Sequence, residues 1–240
     1  LKGKGYGSAY AGVATAAKPT GPFKFLKAGR VNPGKWPLNM DKKDQTTEFT
    51  KEMPDYVRII RRDYPGGQMS RDMTVYVDDD GKAYHIYSAE ENLTLNIAEL
   101  ADDYLDYTGR YVRVAPGGQN EAPAIFKRDG VYWMITSGCT GWAPNEARMF
   151  KATSLWGPWE QLPSPFVGKD AKKSFHTQGT YIFKVEGTED GFVFMADRWN
   201  PRSLKNSRHI WLPIDFEADS TPVIRWVDGW SPVERFGTGL

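Results

Sequence analysis

The stretch Glu121-Ala122-Pro123-Ala124-Ile125-Phe126-Lys127-Arg128-Asp129-Gly130-Val131-Tyr132-Trp133-Met134-Ile135 decides the fold class. Asp-Gly is a dipeptide that accepts positive φ at low cost, and the alternating aromatic and β-branched residues after it suit a pleated surface, so the segment predicts a tight hairpin. The same signature recurs at Asp80-Gly81 before Ala83-Tyr84-His85-Ile86-Tyr87, and at Asp190-Gly191 before Phe192-Val193-Phe194-Met195. The three glycines lie 49 and 61 residues apart. Four-stranded propeller blades repeat at about 40 to 50 residues, so this spacing predicts blades near residues 70–115, 120–165 and 176–229, one with a longer insertion.

A second repeated element pairs Ala17-Lys18-Pro19-Thr20-Gly21-Pro22-Phe23 with Ser154-Leu155-Trp156-Gly157-Pro158-Trp159. Gly157 follows its Asp-Gly turn by 27 residues, and the same interval before Gly21 falls upstream of Leu1. Residues 1–240 are therefore expected to form a single β-propeller domain, N-terminally incomplete, opening in a partial blade. Between the first two units, Asp41 to Tyr56 is polar and without sustained period, which predicts a surface excursion. Leu95 to Leu100 has helical propensity, but its place after one strand and before Asp102-Asp103 predicts a third blade strand.

Composition agrees with an all-β chain. Nine Trp, 12 Tyr and 12 Phe stand beside 24 Gly and 16 Pro, as expected of short strands broken by many turns. The 31 Lys and Arg against 30 Asp and Glu leave a net charge of +1, which argues against recognition of a long polyanion such as nucleic acid. No apolar run approaches the roughly 18 residues of a membrane helix. Cys139 is the single cysteine, and with only His85, His176 and His209 it makes neither an intramolecular disulfide nor a Cys/His zinc cluster. Leu1 to Tyr10 lack the apolar core of a secretion signal. Gly29 to Lys35 spell a phosphate-loop pattern, but Trp36 replaces the metal-binding hydroxyl. Gly3, Gly5 and Gly7 read as an edge or flexible strand, and Asn92-Leu93-Thr94 is a glycosylation sequon.

Two carboxylates keep the repeat interval. Asp72 and Glu121 each start the strand before an Asp-Gly turn and lie 49 residues apart. Innermost strands of a propeller converge on one axis, and a carboxylate near another holds its proton to higher pH, as a general acid requires. The alternative at this point is that Asp72 caps a turn and Glu121 pairs with an arginine such as Arg71.

These motifs, Asp72 with Val75-Tyr76-Val77-Asp78-Asp79-Asp80-Gly81 and Glu121-Ala122-Pro123-Ala124 with Asp129-Gly130-Val131-Tyr132-Trp133, resemble glycoside hydrolase family 43 over roughly residues 6–236. The resemblance implies a five-bladed propeller, here without its N-terminal blade and part of the second. It implies an inverting glycoside hydrolase with Glu121 as general acid and Asp72 as the modulator of its pKa. Ser137-Gly138-Cys139-Thr140-Gly141-Trp142, His176-Thr177-Gln178-Gly179 and Ala196-Asp197-Arg198-Trp199-Asn200-Pro201 are similar to the exo-β-1,3-galactanase-like and galactofuranosidase-like branches. In the galactanase branch a glutamine matching Gln178 replaces the usual aspartate as the candidate base, either positioning water or passing through its imidic acid form. The alternative for Gln178 is a hydrogen bond across the blade. Trp142, Trp199, Arg198 and His176 are the expected sugar-binding residues, against blade packing for the tryptophans and an ion pair with Asp197 for Arg198.

The expected activity is release of terminal galactose from β-1,3-galactan or an arabinogalactan. The alternatives are α-L-arabinofuranosidase or β-D-galactofuranosidase action on the same fold, and a carbohydrate-binding propeller without turnover. Family members also draw site residues from their first blade, which this chain is expected to lack. No cofactor is required and no metal site is expected beyond room for a structural calcium ion. The expected partner is an oligo- or polysaccharide, with neither nucleic acid nor membrane, and the resemblance implies a secreted or periplasmic location. The sequence leaves the oligomeric state open.

Overall fold

Asp129 and Gly130 adopt φ of 51° and 76°, the left-handed pair that a two-residue hairpin turn demands. They join β7 (Asn120–Arg128) to β8 (Val131–Gly138), as the sequence predicts. The computed structural model describes Tyr6 to Gly237, in two units that meet in sequence at Glu121 and Ala122.

The first unit opens with an antiparallel pair, β1 (Ala11–Thr15) and β2 (Lys24–Gly29). Two helices follow, α1 (Lys42–Thr46) and α2 (Asp55–Asp63). The unit then forms a four-stranded antiparallel meander of β3 (Met73–Val77), β4 (Ala83–Ala89), β5 (Thr94–Leu100) and β6 (Tyr107–Val114). Its core holds Val31, Tyr87, Ala98 and Tyr111, all fully buried.

In the second unit, β7, β8, β9 (Arg148–Ala152) and β10 (Glu160–Leu162) form another meander. A third sheet runs through β12 (Gln178–Lys184), β13 (Phe192–Arg198), β14 (Arg208–Phe216) and β15 (Pro222–Arg225). The short β11 (Phe166–Val167) joins its far edge in parallel with β15, and α3 (Pro232–Phe236) ends the described chain. Aromatic side chains dominate the core here, with Phe126 against Phe192 at 4.8 Å and Phe166 against Phe194 at 5.4 Å between ring centroids. The chain is thus all-β apart from short helices, with a sheet at each predicted repeat. Leu95 to Leu100 lie within β5, as expected. Gly21 and Gly157 share φ of 82° and 83°, and each amide donates to the carbonyl three residues back at 2.9 Å.

Two expectations need correction. The turn at Gly81 runs from Asp78 to Lys82, closed by Gly81 N–H on the Asp78 carbonyl at 2.9 Å, so it is wider than a two-residue hairpin. At Gly191 the connection is a longer loop, closed by Val185 N–H on the Gly191 carbonyl at 2.7 Å. Glycine is needed there for space, since an added Cβ would lie 2.3 Å from Thr188 Oγ1. Asp41 to Tyr56 is a surface excursion as expected, with no buried residue, and it carries α1 and the start of α2. Val57 and Ile60, one helical turn apart, bury with Met40 into a small core of their own. The reading of Gly3, Gly5 and Gly7 as an edge strand lies outside the described residues for Gly3 and Gly5, whereas Gly7 sits in a single 3-10 turn, Tyr6–Ser8. No helix among the described residues is long and apolar enough to cross a membrane.

Candidate active site

In the first unit one serine binds the backbone of Asp72 and of Asn120, the residue before Glu121. Ser88, fully buried near the end of β4, donates its backbone N–H to the Asp72 carbonyl at 2.9 Å and its hydroxyl to the Asn120 carbonyl at 2.9 Å. The segment that starts β3 and the segment that starts β7 are therefore held by the same residue. Asp72 is exposed and Glu121 half-buried. Asn92 Nδ2 donates to Glu121 Oε2 at 3.3 Å. Arg71, named as a possible partner of Glu121, pairs with Glu91.

The segment between β4 and β5 carries these contacts in an uncommon backbone. Glu90, Glu91 and Asn92 have φ of 53°, 59° and 66°, a left-handed run that non-glycine residues seldom adopt. Glu90 is fully buried and accepts from Arg113 Nε at 2.7 Å and Nη2 at 2.6 Å, and from Thr94 Oγ1 at 2.6 Å. Burial pushes the Glu90 carboxyl up, against the pull of Arg113. The sequon residues belong to this structure: Thr94 is fully buried, and the Asn92 nitrogen that a glycan would occupy donates to Glu121.

In the second unit Gln178 starts β12 with both ends of its amide engaged. Nε2 donates to Ser137 Oγ at 2.9 Å, and Oε1 accepts from Trp199 Nε1 at 2.9 Å. Trp199 meets Trp142 edge to face at 5.5 Å between centroids. At 39% and 55% exposed these tryptophans are not buried in sheet packing, and they line a cleft of about 200 Å3 that also takes in Gln178, His176 and Arg198. Four of the expected sugar contacts thus meet around Gln178. Arg198 does not follow its ion-pair alternative: Nη2 donates to the Phe175 carbonyl at 2.7 Å, while Asp197 lies 2.7 Å from His209 Nδ1. His176 Nε2 stands 3.7 Å from Asp170 Oδ1. A second left-handed run, Ser174, Phe175 and His176 at φ of 47°, 55° and 61°, leads into β12.

Each half supports different chemistry. A carboxyl oxygen can give or take a proton, whereas a neutral amide held at both ends can only orient a hydrogen-bonding partner. Exposed tryptophan faces suit the apolar C–H faces of sugar rings. Sequence reading missed Ser88 and Ser137, whose roles depend on contacts far apart in the chain. It placed Asn92 in a sequon, where the three-residue motif masked a contact 29 residues away.

Comparison with known proteins follows the same lines. The profile of Glycosyl hydrolases family 43 matches residues 45–222. A solved family 43 β-1,3-galactosidase with galactodeoxynojirimycin is 55% identical, with a TM-score of 0.91 over 96% of this chain and 70% of that one. An exo-β-1,3-galactanase from Clostridium thermocellum is 32% identical over 92% of this chain and 43% of its own, with a TM-score of 0.72. A β-D-galactofuranosidase from Aspergillus niger is 29% identical over 130 residues, 53% of this chain and 37% of that protein. The chain thus spans well under half of that curated relative. On the profile match across most of its length, the chain belongs to glycosyl hydrolase family 43.

Proposed function

We propose that the protein is an inverting exo-glycosidase that releases terminal galactose from β-1,3-linked galactan or arabinogalactan, working outside the cytoplasm. The observation that carries this reading is the cleft around Gln178, an amide fixed by Ser137 and Trp199 and flanked by exposed tryptophans. It stands in a chain 55% identical to a β-1,3-galactosidase. The antiparallel meanders are read as blades of a five-bladed propeller.

Glu121 is the proton donor. Its carboxyl proton passes to the glycosidic oxygen as the bond to the anomeric carbon breaks, and water adds to that carbon from the opposite face, its own proton passing to solvent water, which in turn reprotonates Glu121. Asp72, whose backbone carbonyl is bound by the same serine that binds the carbonyl of Asn120 next to Glu121, favours the protonated form of Glu121 by its negative charge. Gln178 orients the water through its amide, and its fixed geometry removes the entropy of finding that pose. Trp142 and Trp199 stack on the sugar, and Arg198 and His176 contact its hydroxyls.

β-D-Galactofuranosidase action is the second reading, favoured by the likeness to the Aspergillus niger enzyme. The test is turnover by the full-length gene product of β-1,3-galactobiose, a galactofuranoside and an arabinofuranoside. Galactose released fastest from the galactobiose is expected. Faster cleavage of the galactofuranoside selects the second reading, and sugar binding without turnover reduces the protein to a carbohydrate-binding propeller.

A further inference from the structure

The left-handed run Glu90-Glu91-Asn92 is held at every side chain. Glu90 is locked to Arg113 and Thr94, Glu91 accepts from Arg62 at 3.1 Å and from Arg71, and Asn92 reaches Glu121. Backbone of this kind persists where its surroundings over-determine it, and such sites concentrate where geometry serves chemistry. Arg71 directly precedes Asp72, so the run is fastened beside one carboxylate and touches the other. Ser88, just before it, binds the carbonyls of Asp72 and Asn120.

We propose that Asn92 is a positioning residue for the proton donor. An amide N–H binds an oxygen that carries lone pairs toward it, so the Asn92 contact makes Glu121 Oε2 the acceptor and confines the acidic proton to Oε1. The glutamic acid then presents its proton in one direction instead of two. The left-handed turn aims the amide, and the Arg113, Arg62 and Arg71 contacts keep the turn in place. This inference rests on the reading of Glu121 as the acid.

Asn92→Gly is the informative variant, because glycine accepts φ of 66° freely and so keeps the turn while removing the amide. Asn92→Asp keeps the shape and replaces the donor with a negative charge. The surrounding charges, Asp72 and Arg71 before β3, Glu91 in the turn, Arg62 on α2 and the Glu90–Arg113 pair, remain in both variants. Rates against pH on aryl β-galactosides of graded leaving-group acidity are expected to fall about 10- to 100-fold for poor leaving groups in Asn92→Gly, the scale of a misaligned reacting group. The deficit should narrow for good leaving groups. The alkaline limb should move to higher pH, further in Asn92→Asp, since an N–H donor favours the ionised carboxyl and a neighbouring charge opposes it. An unchanged limb with a change in KM alone overturns the positioning role. Glu121→Gln assayed in parallel separates the two ideas: wild-type turnover there removes the acid reading itself, whereas loss of turnover there with an unchanged limb in Asn92→Gly removes only the role of Asn92.

Discussion

The two left-handed runs, Glu90-Glu91-Asn92 in the first unit and Ser174-Phe175-His176 in the second, pose the same backbone problem and solve it with different chemistry. The first is pinned by charge, through Arg113, Arg62 and Arg71. The second is pinned by serine and backbone hydrogen bonds, with one charged group meeting a neutral carbonyl. Ser174 Oγ accepts from Ala147 N–H and donates to the Asn145 carbonyl, both at 2.8 Å, and the Arg198 guanidinium caps the Phe175 carbonyl. One run serves a carboxylic acid and the other leads to an amide. Sensitivity to pH should therefore be concentrated in the first unit, and the second should be governed by hydrogen-bond geometry.

The largest expected effect separates the two by chemistry. Glu121→Gln should lower turnover of unactivated galactosides by about three orders of magnitude, within the range of general acid catalysis, while leaving thermal stability nearly unchanged. An equal loss across all leaving groups would place the defect elsewhere. The pins themselves come next. Glu90→Gln leaves Arg113 buried without a counter-charge and should cost about 3–5 kcal/mol of unfolding free energy. Ser174→Ala strands one buried donor and one acceptor at about 1–3 kcal/mol. Denaturant titration of both variants checks this order, and a reversed order would dissolve the contrast.

Acid should weaken the first unit before the second. His85 is 2% exposed, with Nδ1 2.8 Å from the Tyr107 hydroxyl, and burial lowers its pKa from 6.5 to about 4. The unfolded histidine takes up a proton first as pH falls, so stability declines between 6.5 and 4 and levels off below, by about 3 kcal/mol in all. His176 and His209 in the second unit are exposed. Hydrogen exchange at about pH 4.5, inside that window, should show earlier loss of protection in β4 than in β13, and uniform loss would count against this origin.

Much of the fold was legible because its signals are local. Asp129-Gly130 announced its turn, and Gly21 and Gly157 proved geometrically alike, since a dipeptide and its neighbours determine such conformations. Asp190-Gly191 misled because glycine serves there to let Thr188 approach, a requirement that leaves no mark on the dipeptide. Helix α2 was hidden in a charged stretch that offers only two buried apolar residues, Val57 and Ile60, one turn apart. At the site, the residue types at 121, 178 and 199 could be named in advance. Ser137 beneath Gln178 could not, since hydrogen bonds across 41 residues depend on tertiary register.

Trp199 gives the smallest and most discriminating contrast. Trp199→Phe keeps an aromatic face for sugar but removes the N–H on Gln178 Oε1. If the amide must be fixed to orient water, kcat should fall about 10-fold or more with little change in KM. A rise in KM alone would make Trp199 a stacking platform and nothing else.

The stereochemistry of release tests the central claim most directly. With β-1,3-galactobiose as substrate and the full-length gene product as enzyme, proton NMR in the first minutes should show α-galactose accumulating from the non-reducing end before mutarotation, because an acid paired with an oriented water inverts the anomeric carbon. Initial release of β-galactose would require a covalent intermediate, and would contradict the pairing of Glu121 as acid with Gln178 as the amide that orients water.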